Sequence, residues 1–408
     1  VFPTDRPSPP TRPFLAVLAL AALCTGAAIA AGSPVQVHDN PATPAAGTIT
    51  IDLRELWRVG ADDEEVLLGL PSAAVRDADG NLYLVDLQLA TVHVFAPDGT
   101  FLRDIGREGE GPGELRRPAG IVLMPDGRLG VAQRFPGRIV LLHPDGTPAG
   151  TLLPGGDATA GGFSSLDLVR QRSGVLVVRG ARMSRGDGVF RREIYVAVLD
   201  GDGRERARLY GHAQVSDMSR PRFVEKDSYA PPVALGPGGT IYLAPERDRY
   251  VVRVHDGNGQ PLYEITRAWT PRRRTAEEKD RVGRNIMFRR NGRRVRVERE
   301  VCDTDPAISA LRVTATGELW VLARSGNEPP EPDGFQTWDV FDRDGHYRYR
   351  AAIACEGDPD QDRLLPVDDT TWVLVRGARS AMEALRGGGD DEQSDQDVQL
   401  EVVVYRQE

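Results

Sequence analysis

An all-β chain forming a six-bladed β-propeller of four-stranded antiparallel blades is predicted by three observations. Glycine-bearing turn pairs recur in register, short and nearly continuous apolar runs lie between them, and the strands at the two ends of the repeat are incomplete in complementary ways.

The turns carry most of the weight. One series is Asp79-Gly80, Asp126-Gly127, Ser173-Gly174, Gly238-Gly239 and Thr316-Gly317. A second is Asp98-Gly99, Asp145-Gly146, Asp202-Gly203, Asn258-Gly259 and Asp344-Gly345. Gly, Asn and Asp accept positive φ at little cost, so each pair reads as a two-residue hairpin turn of the primed type. Gly80, Gly127 and Gly174 are spaced by 47 residues, a supersecondary repeat. Between the turns, runs such as Leu82-Tyr83-Leu84-Val85, Ile241-Tyr242-Leu243-Ala244 and Leu319-Trp320-Val321-Leu322 lack the alternation of a half-exposed strand. They read as strands buried on both faces between neighbouring sheets.

Five repeats are complete and the sixth is split. Leu364–Val367, Thr371–Arg376 and Leu400–Tyr405 supply three strands, and the orphan strand Thr48–Leu56 is predicted to supply the fourth, so the N-terminal strand closes the last blade.

Before the repeats, residues 1–30 read as a signal peptide. Arg6 and Arg12 precede an apolar run from Phe14 to Ala31, and Ala28-Ile29-Ala30 offers a small-x-small cleavage pattern with the cut after Ala30. The expected location is periplasmic or extracellular, with membrane attachment only through an uncleaved or lipidated N-terminus. Residues 31–47 read as a Pro/Ala-rich linker and 48–408 as the propeller.

Two insertions interrupt the repeats. Residues 271–300 hold 12 basic against five acidic side chains, and Thr275-Ala276-Glu277-Glu278 predicts a capped helix from about Ala276 to Arg290 on the rim of the disc, with Val282 and Ile286 as its apolar edge. Residues 381–398, with Gly387-Gly388-Gly389-Asp390-Asp391-Glu392, are predicted to be an acidic disordered loop without Ca²⁺-loop spacing.

Composition excludes a surface built for nucleic acid: the net charge over 408 residues is −9. Lys226 and Lys279 are the only lysines, so positive charge is almost entirely arginine. In an oxidising compartment Cys302 and Cys355 read either as a disulfide or as two separate thiols, and their spacing gives neither a metal site nor a redox motif.

Gly106-Arg107-Glu108-Gly109-Glu110-Gly111-Pro112-Gly113-Glu114-Leu115 leading into Pro118, Asp86 followed by Thr91-Val92-His93-Val94-Phe95, and Gly137-Arg138-Ile139 together resemble the bacterial six-bladed propeller family related to NHL repeats. The resemblance implies the fold over the whole mature chain and no particular activity.

No catalytic constellation is recognisable. Innermost strands reading Ala73-Ala74-Val75, Gly120-Ile121-Val122-Leu123 and Ile308-Ser309-Ala310-Leu311 lack the convergent oxygens a hard cation needs, with Asp167 as the exception, so no metal or other cofactor is expected. His143 and His255, at the ends of third strands, read as surface or edge residues. Candidate ligand-binding residues follow the second strands: Arg134, Arg179, Arg247, Arg324 and Arg376, with Asp86 in the first repeat. Pointing inward they would form a ring for carboxylates or sulfates; pointing outward they are ordinary solvated loop arginines. The sequence thus favours an exported, non-catalytic binder of a protein, peptide or glycan. A hydrolase or lyase at the channel mouth, or an envelope scaffold without a small ligand, is the alternative.

Overall fold

The computed structural model describes residues 35–60, 66–154, 162–217, 219–220, 222–284, 288–290, 293–295, 297–324, 326, 334–385 and 400–408. The leader segment and most of the acidic loop fall outside these residues. Apart from two short helices and 3₁₀ turns, the regular structure is strand.

Strands follow one another as antiparallel neighbours. Pro71–Arg76, Leu82–Asp86, Thr91–Phe95 and Phe101–Ile105 form sheet I, and Pro118–Leu123, Leu129–Gln133, Arg138–Leu142 and Pro148–Leu152 form sheet II. Sheet III is built from longer strands, Gly162–Arg172, Val175–Gly186, Val189–Leu199 and Glu205–Asp217. Sheet IV contains Val233–Leu235, Ile241–Leu243, Val251–His255 and Pro261–Arg267. The remaining large sheet has eight strands. Ile308–Val313, Leu319–Ala323, Gln336–Phe341 and Tyr347–Ala354 make its first half (V); Arg363–Pro366, Thr371–Arg376 and Glu401–Gln407 make its second (VI); Thr48–Gly60 joins them.

The second residue of every one of the ten turn pairs, always glycine, adopts φ between +79° and +91°. The turns nevertheless differ from the two-residue type read from sequence. Ala96 N donates to Thr100 O (2.8 Å) and Gly99 N to Ala96 O (3.0 Å), which closes a three-residue loop with glycine in the left-handed position. Asp98 Oδ1 accepts from Thr100 N (3.0 Å), so the aspartate is chosen for capping the turn rather than for its own positive φ. At Ser173-Gly174 both residues have positive φ. Gly99 has a second constraint, because a Cβ there would come within 2.7 Å of the Trp57 ring.

Each hydrophobic cluster is shared by two consecutive sheets. Tyr83, Val92 and Val94 of sheet I pack with Ile121, Leu129 and Val131 of sheet II. Val122 and Ile139 of sheet II pack with Leu166, Val178 and Tyr195 of sheet III. The series continues to the last and first sheets, where Val373, Val375 and Val402 meet Leu82, Leu84 and Phe95. This explains the absence of alternation in the central runs: both faces of a strand such as Leu82–Asp86 are covered, and all five residues are buried. Full burial of such an apolar side chain is worth roughly 1.5–3 kcal/mol. The chain is a β-propeller.

The segment Gln36–Gly60 runs along the outer strands of three successive sheets. Gln36–Asn40 pairs in parallel with Tyr263–Arg267, Thr48–Asp52 in parallel with Arg350–Ala354, and Leu53–Gly60 antiparallel with Glu401–Gln407. The first of these pairings falls inside the stretch read from sequence as a linker. It is fixed by Asn40, 7% exposed, whose Nδ2 donates to Gly345 O (3.0 Å) and whose Oδ1 accepts from Tyr347 N (2.8 Å).

Polar groups also cross between sheets. Arg267, 1% exposed at its side chain, lies 3.2 Å from Asp339, between the rings of Tyr250 and Tyr347, while both tyrosine hydroxyls donate to the same carboxylate (2.8 and 2.6 Å). Arg312 sits between the Trp320 and Trp372 rings and donates to the carbonyls of Asp368 and Asp369; burial pushes its pKa down to about 10.

The inserted helix spans Ala276–Arg284, one residue beyond Gly283, shorter than the sequence implies. Its expected capping box is present: Glu278 N donates to Thr275 Oγ1 (3.2 Å) and Thr275 N to Glu278 Oε2 (2.8 Å). A second helix, Ala378–Leu385, occupies the start of the segment expected to be disordered, because Ala378, Ala381 and Met382 pack into the cluster between the last and first sheets. No helix among the described residues is long and apolar enough to cross a membrane.

Replacing Asp339 with Ala removes the acceptor of two tyrosine hydroxyls and the counter-charge of a buried arginine. The expected loss is about 3–5 kcal/mol of unfolding free energy, measured by denaturant titration; a loss under about 1 kcal/mol would show that the cluster contributes no more than a surface ion pair.

Candidate functional site

The first strands of sheets I to V lie beside one another in order. Several first strands carry a bulge at their second or middle position, with the extra residue being Ser72, Ala119, Asp167 and Ser309. The serine hydroxyls turn back to their own sheets, Ser309 Oγ donating to Leu322 O (3.0 Å) and Ser72 Oγ to Val85 O (3.4 Å). Asp167 instead faces an arginine. Its Oδ1 accepts from Arg179 Nε at 3.0 Å, and Arg179 Nη1 also donates to the carbonyls of Ala230 and Pro231 (3.3 and 2.7 Å).

Around this pair other guanidiniums converge. Arg170 and Arg363 are both reached by solvent. Yet desolvation, first, and neighbouring positive charge, second, lower both pKa values, Arg170 to about 10 under the charges of Arg179 and Arg363, and Arg363 under that of Arg134. Arg170 Nη1 donates to Val169 O (2.9 Å), and the Arg363 side chain has no ion-pair partner among the described residues. The arrangement suits an anion with planar oxygens, which would satisfy forked donors and relieve mutual repulsion at once.

Beside Arg363 lies a cleft of about 450 Å³. Arg281 and Val282 of the inserted helix border one side, Ala378 and Met382 of the second helix another, and Arg324 also lines it. The inserted helix therefore borders this cleft. Glu225 holds the insertion there: it accepts from Arg274 Nη1 (2.8 Å) and Cys302 N (2.8 Å) and pairs with Arg247 (3.2 Å). Burial opposes ionisation of Glu225, but these partners outweigh it and lower its pKa.

The arginines singled out from sequence thus divide. Arg134 and Arg179 belong to the convergent cluster, and Arg324 to the adjoining cleft. Arg247 does not face the channel: it is 5% exposed, pairs with Glu225 and Asp248, and donates to Thr304 O (2.7 Å). Arg376 is engaged by Glu401 (2.8 Å) and Glu356 (3.6 Å). Asp86 is fully buried and accepts from the backbone N–H groups of Gly69, Leu70, Gln88 and Leu89, so it splices two loops and offers nothing to a ligand. Cys302 and Cys355 are both free thiols, and burial pushes Cys355 up to about 12.

Arg170 and Arg363 were missed. The bulge at Asp167 breaks the two-residue period that would have placed Arg170, and Arg363 sits at the very start of its strand. The one available signal was a second charged residue three positions after Asp167, beyond the apolar pair Leu168-Val169.

His93 was also overlooked. It is 2% exposed, with Nδ1 2.6 Å from Asp104 Oδ1 and Nε2 3.8 Å from Asp86 Oδ2. Burial disfavours the imidazolium, but the two carboxylates together outweigh it and raise the pKa. His255, by contrast, is 7% exposed and lowered by burial, and His143 is exposed as expected.

A family model described as a 6-bladed β-propeller matches residues 63–133. No curated protein matches the sequence. Similar solved structures include a calcium-binding protein, regucalcin, from Agrobacterium tumefaciens, 14% identical, covering 88% of this chain and 96% of that one with a TM-score of 0.42. Another is a Bacteroides fragilis protein described as exported, 12% identical, covering 90% and 99%, with a TM-score of 0.46. A gluconolactonase from Xanthomonas campestris is 15% identical over 92% and 99%, with a TM-score of 0.38. At these identities the likeness concerns the fold alone.

Because the folded-state pKa of His93 is raised above the ordinary imidazole value of about 6.5, its contribution to stability is complete below that unfolded value and is lost as pH rises through the folded pKa. Wild type should therefore exceed His93→Gln in stability at mildly acidic pH by more than at alkaline pH. Urea titrations across that range would read the difference, and a gap independent of pH would mean that His93 is not charged in the native protein.

Proposed function

We propose that the chain is an exported propeller of six four-stranded blades, related to NHL-repeat propellers, that recognises an anionic group of a protein, peptide or glycan at the mouth of its central channel without catalysing a reaction. One observation carries this reading: Arg170 and Arg179 lie close together on the first two strands of sheet III, where Asp167 pairs with Arg179, and the charges of Arg179 and Arg363 help hold the pKa of Arg170 down. Such an excess of positive charge is costly in the empty protein and favourable once an anion enters. Arg324 and the cleft between the two helices extend the surface over which a larger ligand could lie.

The blade number is supported by five turn-delimited repeats, by a sixth sheet that draws strands from both ends of the chain, and by cores that join each sheet to the next, the last to the first included. Export rests on the leader-like composition of residues 1–30.

Citrate should raise the thermal midpoint of the wild type relative to chloride at matched ionic strength, by an amount that corresponds to about 2.7 kcal/mol at a hundredfold excess over Kd. The Arg170→Glu/Arg363→Glu double variant should lose this stabilisation. Equal citrate response in both proteins would remove the channel mouth as an anion site.

A further inference from the structure

Sheet III leaves a long edge open, a feature unrelated to the anion site. Its fourth strand, Glu205–Asp217, is 13 residues long and pairs on one side only, with Val189–Leu199. The outer strands of sheets IV and V are covered by Gln36–Asn40 and Thr48–Asp52, and those of sheets I and II are five residues each. From Glu205 to Ser216 no backbone–backbone bond among the described residues leads beyond sheet III.

Native edges are blunted by shortness, by bulges or by charged side chains. The lower half of this strand has such guards: the register passes over Arg206 and Leu209, and Glu205, Arg206 and Arg208 are charged. The upper half has none. Tyr210–Ser216 runs in unbroken register against Phe190–Val196 and contains no Asp, Glu, Lys or Arg. Gly211, Ala213 and Val215 are exposed on one face, Val215 to 56%.

An edge of this kind accepts a further strand. We propose that it accepts the same strand of a second copy, antiparallel about a two-fold axis at Ala213, the midpoint of the unguarded stretch. Ala213 then faces its own counterpart. Gly211 faces Val215, so the exposed valine meets a residue without a side chain, while His212 faces Gln214 and Tyr210 faces Ser216. No like charges are opposed along the stretch. One step further, Asp217 of each copy comes beside the bulge at Arg208-Leu209 of the other. Arg208 lies on the same face as Asp217, because it donates to Glu193 Oε1 (2.6 Å) and Glu193 stands opposite Ala213, four residues before Asp217. Opposite charges therefore meet at both ends of the pairing.

A foreign peptide suits the edge less well. Peptides added to a sheet edge are selected by pockets for their alternate side chains. Neither the cleft beside Arg363 nor the one beside His93 is lined by this strand.

Sedimentation of the purified protein reads the association. The wild type should be a reversible dimer. Ala213→Lys, which sets two ammonium groups opposite each other at the axis, should weaken dimerisation at least about tenfold and leave urea unfolding at low protein concentration unchanged. With oxidised glutathione, Ala213→Cys should cross-link two copies. Val215→Cys should not, because its two counterparts would lie about 13 Å apart along the strands, nor should the wild type with Cys302 and Cys355 alone. A wild type that stays monomeric at every concentration, a dimer indifferent to Ala213→Lys, or cross-linking of Val215→Cys in preference to Ala213→Cys overturns the pairing. A monomer that binds an extended peptide along this strand would assign the edge to a foreign partner instead.

Discussion

Burial of both faces of every central strand is the constraint from which the remaining features follow. A four-stranded sheet with apolar residues on both faces has no stable existence alone, since each face must find a partner. Here each sheet finds two, and the cluster joining Val373 and Val402 to Leu82 and Phe95 means that the first and last sheets are not exceptions. Without that last contact two apolar faces would lie open to water.

The segment Gln36–Gly60 reinforces the same arrangement from outside. By pairing with the outer strands of three successive sheets it covers edges that would otherwise display unpaired backbone groups. Asn40 shows how specific this is, since its amide bonds to backbone atoms of two different sheets. Buried polar groups elsewhere, such as Asp339 with Arg267 and two tyrosines, serve the same joints between sheets.

A ring packed in this way surrounds its axis with low-dielectric protein, and that gives the arginines at the mouth their character. The same side chains on an open surface would keep an ordinary guanidinium pKa. Arg170 and Arg363 remain within reach of water, yet desolvation, first, and neighbouring positive charge, second, hold both pKa values down. The inserted helix and the second helix, Ala378–Leu385, border the adjoining cleft, so the parts of the chain that interrupt the repeat are also the parts that line it.

The local rules were legible in the sequence. Gly99 and its nine counterparts announced positive φ because no other residue type tolerates it so cheaply, and the runs around Leu84 and Val321 announced burial because they lack alternation. Thr275 and Glu278 announced a helix start through chemistry confined to four residues. What tertiary structure decided was the fate of charged groups, because an arginine is long enough to reach either solvent or a buried carboxylate. Arg247 and Asp86, read as ligand-facing, became internal fasteners, whereas Arg170 and Arg363, unremarked beside their apolar neighbours, lie where the charge of Arg363 acts on Arg170. Sequence spacing records which strand a residue belongs to. Which guanidiniums share a channel depends on sheets far apart in the chain being brought round to face one another.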